Sequence, residues 1–277
     1  MDYRKSQETN NSPPPYPYTT EDAPSYNPPT FNGDAPGSTQ LAAATARYPP
    51  TLNLYYQWKL KQVYYLGPSS EEKLHAVSLD SKLFSRKQTL LFHDGPTDKA
   101  PVLATATRSA SGWSDKATIT IRRSDGSDAE ILVHRPADSG FMKSATRNFT
   151  ISTPKGAVEE FQWRTTHGNE IKELAGRSYG WKLIRLSGGQ AAPLQKEPDL
   201  GFTSDGKEVV AVLAQNMSWS MTKGYRFAFM GSGLTGVFGE DWETAAVFSG
   251  FLLWWIAQTD AAAAGSAAGA GAGGAAC

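Results

Sequence analysis

Cysteine is all but missing from this 277-residue chain: the single one, Cys277, is the last residue. One thiol makes no intramolecular disulfide and no cysteine-based zinc cluster. An excess of either charge is missing too, because 27 Lys and Arg meet 27 Asp and Glu. Nucleic-acid binding draws on a basic excess that displaces counterions, so no nucleic-acid partner is expected. The four histidines, His75, His93, His134 and His167, are scattered, with no ligand cluster beside them, and no metal site is expected. There is no GxSxG elbow, HExxH helix or Walker loop. Glu159 and Glu160 are neighbours that would point to opposite faces of a strand, a poor arrangement for shared acid/base work. The expectation is a non-enzymatic chain without a cofactor. The first residues hold no apolar stretch of the signal-peptide kind, so the expected location is cytoplasmic, peripheral to membranes at most.

What is present falls into three segments. Residues 1–50 carry ten of the 17 prolines and none of the eight tryptophans. Such a segment cannot bury enough apolar area to offset ordering its backbone, at about 1–2 kcal/mol per residue. It reads as a disordered Pro/Tyr-rich tail. Residues 51–260 read as one domain of short apolar or alternating runs, and residues 261–277 as a low-complexity Ala/Gly tail. Within the domain the candidate strands are 52–58, 62–66, 73–79, 88–93, 101–108, 117–123, 129–135, 146–152, 158–164, 170–174, 180–186, 207–215 and 224–230. They are rich in Val, Ile, Thr, Tyr, Phe and Trp, as strands on a half-buried pleated surface should be. Asp125-Gly126, Asp205-Gly206 and Gly168-Asn169 read as hairpin turns, with type I′ geometry supplied by residues that accept positive φ. A dozen short strands linked by such turns imply an antiparallel sandwich or barrel.

One helix is expected, over residues 240–258. Glu240, Asp241 and Glu243 place negative charge at its start, where the helix dipole favours it. Trp242, Phe248, Phe251, Leu252, Trp254, Trp255 and Ile256 cannot all face one way at about 3.6 residues per turn. A helix apolar on every face is surrounded by protein or by lipid. Its charge-free core of about 14 residues is roughly 21 Å long, against the roughly 20 residues that a bilayer span asks for. Burial in the chain's own sheet is the preferred reading, with those seven side chains organising the core.

The stretches LLFHDGPTDKAPVLATA (90–106), WKLIRL (181–186) and KEVVAVLAQ (207–215), followed by this helix, occur in an unusual order. In that order the chain resembles the tubby C-terminal-like superfamily, in particular its LURP-one-related and phospholipid-scramblase-like branch. The resemblance covers about residues 52–258. It implies a mainly β (α+β) fold, an antiparallel barrel of about twelve strands closed around a central hydrophobic C-terminal helix. It also implies contact with anionic phospholipid, since tubby proteins bind phosphoinositides through basic side chains. Scramblases are linked to lipid movement with calcium, but the segment before the helix offers only Glu240, Asp241 and Glu243, not an acidic calcium loop.

Pro13, Pro14 and Tyr16 form a PPxY pattern of the kind read by WW domains. The prolines pre-set the extended ligand form and the tyrosine is an aromatic anchor. The implied partner is a WW-domain protein of the ubiquitin-ligase type. Gly231, Gly233 and Gly236 match GxGxxG, but no second parallel strand follows the helix, so they read as a glycine linker rather than a dinucleotide site. Lys59 with Lys61, Arg122 with Arg123, and Lys182 with Arg185 are local basic pairs, read first as exposed sheet charge and second as headgroup contacts. The expected function is a tubby/LURP-one-like binding or adaptor module with a WW-binding tail. The alternatives are a scramblase-like membrane protein and an enzyme whose site the sequence does not display.

Overall fold

The computed structural model describes residues 47–56, 62–80, 89–109, 112–136, 146–175, 179–187, 201–215 and 223–270. Pro13, Pro14, Tyr16 and the Lys59/Lys61 pair lie outside them. Twelve strands follow one another: β1 Thr51–Tyr56, β2 Val63–Gly67, β3 His75–Asp80, β4 Thr89–His93, β5 Val102–Ser109, β6 Gly112–Arg122, β7 Asp128–His134, β8 Arg147–Ser152, β9 Val158–Thr166, β10 Gly180–Arg185, β11 Val209–Gln215 and β12 Lys223–Phe229. Helix α1, Asn169–Ala175, lies between β9 and β10, and helix α2, Glu240–Ala270, follows β12. Every strand pairs antiparallel with its sequence neighbours, and β12 pairs with β1 to close the barrel.

The alternation in the sequence builds the wall. In β7 and β9 every second residue is buried, Ile131 and Val133 in one, Phe161 and Trp163 in the other, while their neighbours are more exposed. Eight strands already enclose a lumen that side chains can just fill, so twelve leave a channel. Helix α2 fills it. Its side chains, reaching a width of about 10–12 Å, are buried along the whole of residues 242–256. The helix touches the wall on several sides. Phe248 stacks on Phe92 of β4, with ring centres 5.1 Å apart. Trp254 meets Tyr64 of β2 at 5.6 Å and Tyr225 of β12 at 5.9 Å. Trp242 meets Phe161 of β9 at 5.5 Å. All seven large side chains named above are buried. Midway along, the Trp163 indole N–H donates to Ser249 Oγ at 2.9 Å, satisfying a polar group inside the lumen. Gly250 lies beside it, and a side chain there would press on Leu213 and the Trp163 ring.

Three expectations need correction. Residues 170–174 are not a strand but part of α1. Glu, Lys, Leu and Ala are helix formers, and Ile171 and Leu174, three apart, share one helix face. That face covers a second apolar cluster, Ile184, Val209, Val212 and Ala228, on the outer surface of the barrel. This cover explains why β11 is buried along nearly its whole length. The Asp-Gly turns are hairpins, but not of type I′. Gly126 N–H bonds Arg123 C=O at 3.1 Å and Arg123 N–H bonds Ser127 C=O at 2.9 Å, enclosing a three-residue loop with Gly126 at φ 82°. Gly206 repeats the pattern between Thr203 and Lys207, at φ 71°. This is the type I turn with a glycine bulge. Gly168-Asn169 leads into α1 instead of a hairpin.

The third correction concerns the domain's edges. Ordered structure is present at Arg47, because Tyr48 is a core residue, packed on His75 with ring centres 5.0 Å apart. At the other end α2 does not stop at Gln258 but runs through the alanines to Ala270. Alanine has the highest helix propensity, and glycines spaced among alanines cost only about 1 kcal/mol each. The side chains of Gln258 to Ala262 are exposed, so the helix emerges from the barrel there.

Two substitutions test this packing in urea unfolding. Phe248→Ala, at a fully buried position, should destabilise by about 3–5 kcal/mol. Tyr225→Phe should be neutral or stabilising, because the Tyr225 hydroxyl is buried without a hydrogen-bond partner and removing an unsatisfied group recovers its desolvation cost of about 1–3 kcal/mol.

Candidate functional site

With the lumen occupied by α2, a site must lie at the mouths or on the outer wall. The mouth at the N-terminal end of α2 holds a cleft of about 490 Å³. Its floor is apolar, from Leu103, Ile121 and Phe238, and the β6–β7 and β8–β9 turns flank it. Arg47, Arg122 and Arg123 face Asp125, Glu240 and Asp241, so guanidinium and carboxylate groups are equal in number. Arg123 Nε donates to Asp241 Oδ2 at 2.8 Å, bridging the β6–β7 turn to the helix. A charge-balanced cleft of this kind is not an anion trap, although the helix dipole points its positive end here.

Arg47 and Tyr48 clamp the start of the barrel onto α2. The Arg47 N–H donates to Glu243 Oε2 at 2.8 Å, and its guanidinium lies 2.8 Å from Asp94 and 3.5 Å from Glu240. The Tyr48 hydroxyl donates to Thr244 Oγ1 at 3.1 Å. Burial pushes the Glu243 carboxyl above its ordinary range, against the backbone N–H groups of Arg47 and Tyr48 that favour its charged form.

Of the basic pairs among the described residues, Lys182, Arg185 and Arg123 are neutralised by carboxylates. Lys182 Nζ lies 3.3 Å from Glu170 Oε1. Desolvation alone would raise the Glu170 carboxyl, but its hydrogen bonds and Lys182 hold it below its usual range. Arg185 forks onto Glu159, whose carboxyl its hydrogen bonds pull down. Arg122 is 71% exposed and 4.0 Å from Asp128. Glu159 and Glu160 serve different partners, Arg185 for the first and the Asn148 amide for the second.

Strand pairing also joins residues that the sequence leaves apart. Ala76 opposite His93 sets the β3–β4 register and brings Ser78 within 2.9 Å of His93 Nε2. His93 Nδ1 lies 2.9 Å from the Ala100 carbonyl, which can only accept. The proton is therefore on Nδ1, and Nε2 accepts from the Ser78 hydroxyl. A serine–histidine pair is thus formed, but Ser78 is 4% exposed, and a neutral carbonyl stands where a carboxylate would stabilise imidazolium. The pair fastens the β4–β5 loop to the wall. The imidazole of His75, driven below its usual pKa by burial, has Nδ1 3.2 Å from the His93 carbonyl. Among the described residues no group of three or more His, Cys, Asp or Glu side chains is placed to hold a metal ion. Nor is any described helix long and apolar enough to cross a membrane.

Together these features define a closed antiparallel barrel plugged by its own helix, with a charge-balanced cleft at one mouth. No protein-family model, no curated protein and no solved structure matches the chain.

The clamp has a pH signature. A carboxyl whose folded pKa exceeds its unfolded value binds a proton on folding. The Glu243 contribution therefore turns unfavourable as pH rises from 4.5 through the raised value, and stays so above it. Urea melts between pH 4 and 8 should show Glu243→Gln gaining stability relative to wild type as pH rises through that window. A difference constant with pH would contradict the burial argument.

Proposed function

We propose that this chain is a non-enzymatic binding module of the tubby/LURP-one-like kind. Its barrel is a stable platform, and its Pro/Tyr-rich N-terminal segment recruits a WW-domain protein of the ubiquitin-ligase type. The observation that carries the reading is the filled lumen. Side chains of α2 take the space in which a barrel of this size would hold a small ligand or substrate. The paired state of Lys182, Arg185 and Arg123 supports an adaptor over a strongly lipid-bound protein. Contact with anionic phospholipid is the lesser part of the reading. It would rest on Arg122 at the cleft, and would be weak and salt-sensitive. The burial of α2 in the wall favours this module over a scramblase-like protein whose helix sits in lipid, and the inaccessibility of Ser78 argues against an enzyme built on the Ser78–His93 pair.

Pro13, Pro14 and Tyr16 are the recognition residues of this reading. Tyr16 stands 31 residues before Arg47, where the described barrel begins. Titrating isolated WW domains into the full chain should give saturable binding. Tyr16→Ala should weaken it at least about tenfold by removing the aromatic anchor. Unchanged affinity would remove the WW reading and leave the barrel's description as it stands.

A further inference from the structure

The cleft at the start of α2 is bounded by two turns built alike. In the β6–β7 turn Gly126 N–H bonds Arg123 C=O, with Gly126 at φ 82°. In the β8–β9 turn Gly156 N–H bonds Thr153 C=O at 2.9 Å and Thr153 N–H bonds Ala157 C=O at 2.8 Å, with Gly156 at φ 79°. Short closed loops of this type hold one shape. Gly239, just before the helix, has φ 85°, and a side chain there would meet the Pro154 ring at 2.6 Å. The β8–β9 turn is therefore seated on the start of α2. These contacts shape the cleft before anything enters it. Its volume of about 490 Å³ lies within the range of small-molecule sites, roughly 300–1,000 Å³, and it is separate from the filled lumen.

The charges in the cleft decide what fits. Arg123 and Asp241 meet across it at 2.7 Å, with their side chains 43% and 24% exposed. Glu240, next to Asp241, lies 3.5 Å from Arg47. An ion pair within reach of water opens at little cost. A ligand with one charge that opens the Arg123–Asp241 pair leaves one partner unmatched: a carboxylate on Arg123 strands Asp241, and an ammonium on Asp241 strands Arg123. A ligand with both charges on one carbon re-pairs both residues. The floor beneath them, Leu103, Ile121 and Phe238, is apolar, and Pro154 adds an apolar side. The remainder of the ligand is then apolar as well.

We propose that this cleft is a binding site for a free α-amino acid with a large apolar side chain. The carboxylate is held by the Arg123 guanidinium, whose planar fork suits it. The ammonium is held by Asp241, and the side chain lies over Leu103, Ile121 and Phe238. A peptide is a poorer occupant, because each of its ends carries only one of the two charges. The site is independent of the WW-binding segment.

The probe is L-phenylalanine, titrated into the full chain and followed by amide chemical shifts in NMR. Saturable shifts are expected at residues 122–125, 152–154 and 238–244, which border the cleft. N-acetyl-L-phenylalanine keeps the ring and the carboxylate, and L-phenylalaninamide keeps the ring and the ammonium. Each should bind at least about tenfold more weakly, since each strands one charged partner. Glycine, with both charges and no side chain, should also lose at least about tenfold. Arg123→Gln should weaken L-phenylalanine and make L-phenylalaninamide a better ligand than N-acetyl-L-phenylalanine. Asp241→Asn should reverse that order. Opposite preferences in the two variants cannot come from a shared folding defect. Tyr16→Ala should leave all of this unchanged, so failure here and failure of the WW reading are told apart. The proposal is overturned by absence of saturable L-phenylalanine binding, by equal affinity for the three phenylalanine compounds, by shifts confined to other parts of the wall, or by the same ligand preference in both variants. Binding of phosphatidylethanolamine vesicles without binding of L-phenylalanine also overturns it, since a lipid headgroup would then be the zwitterion that the cleft takes.

Discussion

A twelve-stranded wall and a helix apolar on every face each leave a problem that the other solves. The wall encloses more space than its own side chains fill, and the helix exposes more apolar surface than one sheet face covers. Placing α2 in the lumen removes both defects. The seven large side chains from Trp242 to Ile256 contribute roughly 10–20 kcal/mol of burial, at about 1.5–3 kcal/mol each, which is an upper bound. That is as large as the entire net stability of a typical domain, about 5–15 kcal/mol. The barrel therefore depends on its helix. The Trp163–Ser249 hydrogen bond and the Arg47–Glu243 clamp set how far the helix is inserted.

Filling the lumen also restricts what the protein can do. Barrels with open interiors bind ligands inside, whereas this one has only its mouths and outer wall to present. There, charge is mostly cancelled locally, as the Lys182–Glu170, Arg185–Glu159 and Arg123–Asp241 pairs show. Recognition then rests on the apolar floor of the cleft and on appended segments rather than on a field of one sign.

Much of the wall was legible in one dimension. Twelve of the thirteen candidate strand windows coincide with strands, because period-two alternation and turn residues are local signals. The exception, residues 170–174, is five residues long, too short for periodicity to separate helix from strand. Its identity depends on the outer patch of Ile184, Val209 and Val212 that it covers. Tyr48 sat in a proline-rich neighbourhood and gave no local sign of being core, since its partners His75, Phe92 and Thr244 are distant in the chain. The candidate site was hardly legible at all. Arg123 and Asp241 are 118 residues apart, and Ser78 meets His93 only through the β3–β4 register.

Composition and pattern alone determined the class of architecture, the near-absence of net charge, and a helix that something must surround. These properties follow from residue types and short spacings, which the chain carries wherever it folds. Only the tertiary structure decided that the surrounding material is the chain's own wall, that Lys182, Arg185 and Arg123 meet carboxylates, and that Ser78 meets His93. Each of those depends on which distant residues come within a few ångströms of one another, and that distance is set by closure of the barrel, not by neighbours in sequence.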